Sequence, residues 1–224
     1  MESLKCRDLA PGDVMLKVID NAPLSIGIAS LQALSFAAKP HIVHAGVMFD
    51  KTYIIEAARE GIRGNDLRVQ NKNMTYVVYR CSTKKPEMAQ AAANCVKMLF
   101  DIHQRRTKKH EIKLGSKRTS WKTGGPLSYN LTGALKSLGG AGGDASTPAE
   151  MDDLLTDILE GKSHPFFCSH FVVYVFQFVG VQCGLQPAAV FQDAAATVHP
   201  SALAGKLEAN PYFDLVGIMM PGVR

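Results

Sequence analysis

Hydrophobic and polar positions divide this chain into short alternating stretches at its beginning and end, with longer helical patterns between them. Pro11-Gly12-Asp13 reads as a turn, and Val14 to Ile19 after it as a first strand. The apolar run from Ala22 to Ala38 reads as a buried helix that stops before Pro40, because proline disfavours helical geometry in the residue it follows. Two strands come next, Ile42 to Phe49 and Tyr53 to Ala58, joined by a polar turn at Asp50-Lys51. Tyr76 to Cys81 predicts a fourth strand, Pro86 to His103 a helix with proline in its first turn, and Phe213 to Met220 a closing strand. Thr147-Pro148-Ala149-Glu150 spells a capping box, which predicts a helix from Pro148 to Glu160 stopped by Gly161. Phe171 to Val179 is ambiguous: its β-branched and aromatic residues favour a strand, while apolar positions 171, 172, 175, 176 and 179 fit one helix face. The expected fold is α+β, a mainly antiparallel sheet packed against helices in one domain spanning residues 1–224.

Composition narrows the classes open to such a chain. With 224 residues and 46% hydrophobic content it can bury a substantial core. Its five cysteines are odd in number and irregularly spaced, without a Cys-x-x-Cys pair, so neither a disulfide framework nor a zinc site is expected. The first residues lack an apolar run after their charges, which predicts synthesis in the cytoplasm without an ordinary secretory signal. The Ala22 to Ala38 stretch falls short of the ~20 residues that cross a bilayer.

The formal charge of +5 favours anionic surroundings. Most of the asymmetry lies in an expected loop insertion at about 104–125. There Arg105, Arg106, Lys108, Lys109, Lys113, Lys117, Arg118 and Lys122 face a single acid, Glu111. It reads as a solvated loop or as an anion-docking flap. Trp121 is the sole aromatic within it, so stacking on nucleic-acid bases is not expected.

Candidate chemistry centres on Phe167-Cys168-Ser169-His170-Phe171, with His44 and Glu56 far upstream. A thiol, a base for its proton and a group to orient the base are the parts of a cysteine nucleophile. His164-Pro165 ends the preceding segment, which would place Cys168 near a helix N-terminus, where amides and the helix dipole favour an anion. With the turn centred on Asp50, His44 and Glu56 pair directly across two antiparallel strands and share a face. Each residue also has a plainer reading: Cys168 as inert core, His44 as a hydrogen-bonded core histidine, Glu56 as the partner of Arg59 or Arg63. His164, Cys168 and His170 lack a recognised zinc spacing, so no metal and no cofactor is expected.

The order Gly12-Asp13, His44-Ala45-Gly46, Ile55-Glu56-Ala57, Tyr129-Asn130, Cys168-Ser169-His170-Phe171-Val172 and Pro200-Ser201-Ala202-Leu203 resembles the circularly permuted, YaeF/YiiX-like branch of the NlpC-type papain-like cysteine peptidases and amidases. In that branch histidine precedes cysteine. His170 stands where the family carries glutamate and Asn130 where it carries aspartate. Cys-x-His-Phe is also similar to the lecithin-retinol acyltransferase-like proteins. The resemblance implies a permuted papain-like fold with its nucleophile at a helix N-terminus, Cys168 as nucleophile, His44 as base and later acid, and Glu56 as the orienting residue. Tyr129 and His170 are then expected beside the substrate, Tyr129 joining the Cys168 amide at the oxyanion.

The activity so implied is amide cleavage through a thioester acyl-enzyme. The expected substrate is the peptide of peptidoglycan, and the expected role that of a monomeric antibacterial effector exported by a secretion apparatus and countered by an immunity protein. A thiol acyltransferase or fatty-amide hydrolase acting on lipid, favoured by Phe166, Phe167 and Phe171, and a silent binding module are the alternatives.

Overall fold

The computed structural model describes residues 2–19, 41–59, 61–107, 110–114, 117–121, 127 and 143–222, with backbone alone at 107, 110–114 and 117–121. The expected Ala22 to Ala38 helix, Tyr129 and Asn130 lie outside the described residues. Seven strands form one sheet: β1 (Ser3–Leu4), β2 (Val14–Val18), β3 (Ile42–Met48), β4 (Tyr53–Ala58), β5 (Gly61–Asp66), β6 (Tyr76–Cys81) and β9 (Phe213–Met219). Their spatial order is β1-β9-β6-β2-β3-β4-β5, antiparallel throughout except for the β1–β9 pair. Five α-helices are described: α1 (Glu87–Thr107), α2 (Pro148–Leu159), α3 (Cys168–Gln182), α4 (Pro187–Val190) and α5 (Pro200–Ala209). The chain is therefore α+β with a mostly antiparallel sheet. Among the described residues, no helix is long and apolar enough to cross a membrane.

Burial on both faces explains why the central strands read as nearly continuous apolar runs. Val14, Leu16, Ala45, Val47, Ile55 and Ala57 join α1, α3 and α5 in the larger core. Met15, Met48, Ile54, Tyr76 and Val78 fill a smaller cluster closed by Leu4, Leu9 and Leu67. Helix α3 runs through the larger core with every residue from Phe171 to Gly180 buried. That resolves the conflict over its sequence, since a segment apolar all round can be helical when neighbours cover all its faces, and packing then outweighs intrinsic propensity.

Other expectations held or shifted in specific ways. The box around Thr147 forms: its Oγ1 accepts from the Glu150 amide, and Glu150 accepts from the Thr147 amide at 2.7 Å. The basic segment, expected as a loop, instead continues α1 to Thr107. It then folds as a separate hairpin, β7 (His110–Leu114) with β8 (Lys117–Trp121), in which Lys113 stands opposite Arg118. The turn between β3 and β4 is centred on Lys51, not Asp50. Phe49 donates its amide to the Tyr53 carbonyl, and Asp50 Oδ1 accepts from the Thr52 and Tyr53 amides. Val47 consequently pairs with Ile55 and Met48 with Ile54, two residues away from the expected register.

Candidate active site

A two-residue slip preserves which face each side chain occupies, because strand side chains alternate with period two. Continuing the observed register sets Glu56 opposite Gly46, which has no side chain, and puts His44 at the diagonal position. Diagonal neighbours on one face are within reach of long side chains. The two groups meet: His44 Nε2 and Glu56 Oε2 are 3.0 Å apart. His44 also lies where the β2–β3 ladder shifts, Lys17 pairing with His44 and Val18 with Ile42. Bulges of this kind re-aim side chains at the margin of a sheet.

The other group acting on His44 is the Cys168 side chain, close enough to raise the pKa of the imidazole. With Nε2 committed to Glu56, Nδ1 is the ring nitrogen left for the sulfur. Cys168 is the first residue of α3, preceded by Phe167 in extended conformation, and the helix opens with the Phe171 amide donating to the Phe167 carbonyl. Ser169 ties the same turn down by donating its hydroxyl to the Val198 carbonyl at 2.6 Å. Three residues distant in sequence, Cys168, His44 and Glu56, are thus brought together from a helix start and two strands.

Electrostatics sharpen the arrangement. Burial alone would depress the His44 imidazolium, but the Cys168 sulfur and the Glu56 carboxylate more than offset this and hold it well above the usual histidine range, at about 10. Burial would likewise raise Glu56, yet His44 and then Arg63 hold its carboxyl down at about 2. Cys168 is 2% exposed, while the His44 side chain keeps 18% of its surface.

His170 lies elsewhere. Its ring packs against Phe166, Phe167 and His164, with centroids 5.1, 5.3 and 5.7 Å away. Burial, then the neighbouring His164, lowers its pKa to about 3, so it is neutral across the physiological range. Phe166, Phe167 and Phe171 are core side chains, none more than 1% exposed. Among the described residues no cluster of His, Cys, Asp and Glu is arranged to hold a metal ion.

Two residues of the site carry little signal in the sequence, Arg63 as more than an alternative partner for Glu56, and Asn65 altogether. Both stand on β5, where Arg63 pairs with Glu56 and Asn65 with Ile54. Their only sequence signal is the two-residue spacing that puts them on the face Glu56 occupies.

No protein-family model matches this chain, and no curated protein matches it.

Proposed function

We propose that this protein is a cysteine hydrolase that cleaves amide bonds through a thioester acyl-enzyme. One observation carries the reading: the imidazole that meets the Glu56 carboxylate at 3.0 Å also feels the thiol of Cys168, the first residue of a buried helix. An imidazole so placed takes the sulfur proton before the attack, so that a thiolate meets the carbonyl while the Glu56 carboxylate stabilises the imidazolium. The first amides of a helix have no partner within it, so the Cys168 N–H is a donor suited to the oxyanion of the tetrahedral intermediate. His44 then returns its proton to the leaving amine. Water, deprotonated by the same imidazole, releases the acid.

The substrate we propose is the peptide of peptidoglycan. Net positive charge and the basic β7–β8 hairpin suit a polyanionic wall, and the resemblance to NlpC-type amidases points the same way. Purified peptidoglycan digested with the wild type and with Cys168→Ala, followed by mass analysis, tests this. New fragments ending in a free amine and a free carboxyl are expected from the wild type only, and identical profiles would overturn the wall-hydrolase reading.

A further inference from the structure

Glu56 uses its two oxygens differently. Oε2 meets His44, whereas Oε1 accepts from Asn65 Nδ2 at 2.7 Å and Arg63 Nε at 3.0 Å, with Arg63 Nη2 in ion-pair contact at 2.9 Å. The final torsion of a glutamate is broad and roughly two-fold, so one hydrogen bond to an imidazole does not fix the plane of the carboxylate. Two donors from different side chains converging on the other oxygen do. Burial adds a second requirement: Glu56 is 1% exposed, and an ionised carboxylate removed from water stays charged only when several donors or cations compensate it.

The geometry points to Asn65, assisted by Arg63, as a positioning residue that holds Glu56 turned with Oε2 on His44. Its catalytic meaning rests on the function proposed above. The charged or titratable groups reaching the carboxylate are His44 from β3 and Arg63 from β5, with the Cys168 thiol of α3 beyond the imidazole. Asn65 differs from Arg63 in kind. Arg63 brings a positive charge that also opposes the imidazolium, while Asn65 orients the carboxylate without adding charge. Both sit on an edge strand, so an element outside the Cys-His-Glu chain sets the direction in which that chain acts.

The test uses the full-length protein with carboxyl-13C glutamate, the Glu56 resonance being assigned by its loss in Glu56→Gln. In the wild type Glu56 should titrate well below an ordinary glutamate. Removing one donor, in Asn65→Ala, should raise its midpoint by about one pH unit, because a hydrogen bond to the charged form is lost. Alkylation of Cys168 by iodoacetamide at pH 7 should slow about fivefold, the equivalent of one ordinary hydrogen bond, with the half-buried Cys183 unchanged as internal reference. Arg63→Met alters a side chain that is 45% exposed and provides the same titration readout if Asn65→Ala does not fold. An unmoved Glu56 midpoint in a folded variant overturns the positioning role. A raised midpoint in a protein whose Cys168 reacts no faster than Cys183 keeps the carboxylate clamp and overturns the hydrolase reading instead.

Discussion

Replacing Glu56 by glutamine tests the central hydrogen-bond chain with almost no change of shape. Asn65 Nδ2 and Arg63 Nε both donate to the Oε1 position, so the glutamine oxygen must stay there and its NH2 must turn toward His44. An NH2 group cannot accept a hydrogen bond. His44 Nε2 therefore has to become the acceptor, which forces the ring proton onto Nδ1, the nitrogen that faces Cys168. The imidazole is then in the wrong tautomer to take the thiol proton, and its cation loses the anion that held it. Losing a hydrogen bond to a charged partner costs about 2 to 3 kcal/mol, or roughly 30- to 150-fold. The assay is iodoacetamide labelling at pH 7, quantified on the peptide containing Cys168 and referred to Cys183. Near-ultraviolet circular dichroism establishes that the variant is folded. A folded Glu56→Gln protein whose Cys168 reacts within twofold of the wild type would refute the reasoning, since the carboxylate would then be an ordinary buried ion pair with Arg63.

Stability should follow pH with a sign set by the same two groups. The Glu56 pKa is depressed on folding, from 4.5 to about 2, so its contribution is present above about pH 4.5 and is lost as pH falls toward 2. His44 is raised from 6.5, so its contribution is complete below about pH 6.5 and is lost as pH climbs to about 10. Denaturant midpoints of wild type and Glu56→Gln should therefore differ most between these limits and converge in acid, the Glu56 part being on the order of 3 kcal/mol. Gly12→Ala should destabilise by more than about 3 kcal/mol in urea unfolding. Gly12 has φ +82°, and an added Cβ would lie 2.2 Å from the Ala89 carbonyl oxygen, in backbone that has no room to yield. Thr147→Ala should cost only about 1 kcal/mol, a fall of roughly 2 to 4 °C in melting temperature, because it removes one exposed helix cap.

How far the sequence could be read depended on where each element is buried. β4 and β6 were legible to the residue, because strands covered on both faces keep dense clusters of β-formers, Tyr53-Ile54-Ile55 and Tyr76-Val77-Val78-Tyr79. β5 was not. As an edge strand it carries Gly61, Gly64, Arg63, Asn65 and Asp66, a composition that reads as loop, and it needs no apolar alternation because its task is polar. The same composition hid the donors to Glu56. Helix α3 defied propensity because burial on all sides removes the periodicity that separates helix from strand. The juxtaposition of His44 with Glu56 was reached through a register wrong by two residues. It survived only because an even slip keeps both side chains on one face.

Sequence proximity would have nominated a different base for the same thiol. His170 is two residues from Cys168, His44 is 124, and both are imidazoles in the interior of one molecule. On a helix, residues i and i+2 do not face each other, so His170 turns away into the rings of Phe166 and Phe167. There nothing compensates its charge, and burial, reinforced by His164, keeps it neutral. His44 meets desolvation too yet is held as a cation, because a carboxylate whose other oxygen is taken by Asn65 and Arg63 has its remaining oxygen aimed at Nε2. What distinguishes His44 from His170 is therefore the second neighbour, Glu56, and behind it β5. Exchanging the two roles should fail for that reason: His170→Phe should leave Cys168 alkylation at pH 7 within about twofold of wild type, whereas His44→Ala should bring it down to the rate of Cys183. Equal losses in the two variants would show that the aromatic cluster, and not the strand-borne carboxylate, governs the thiol.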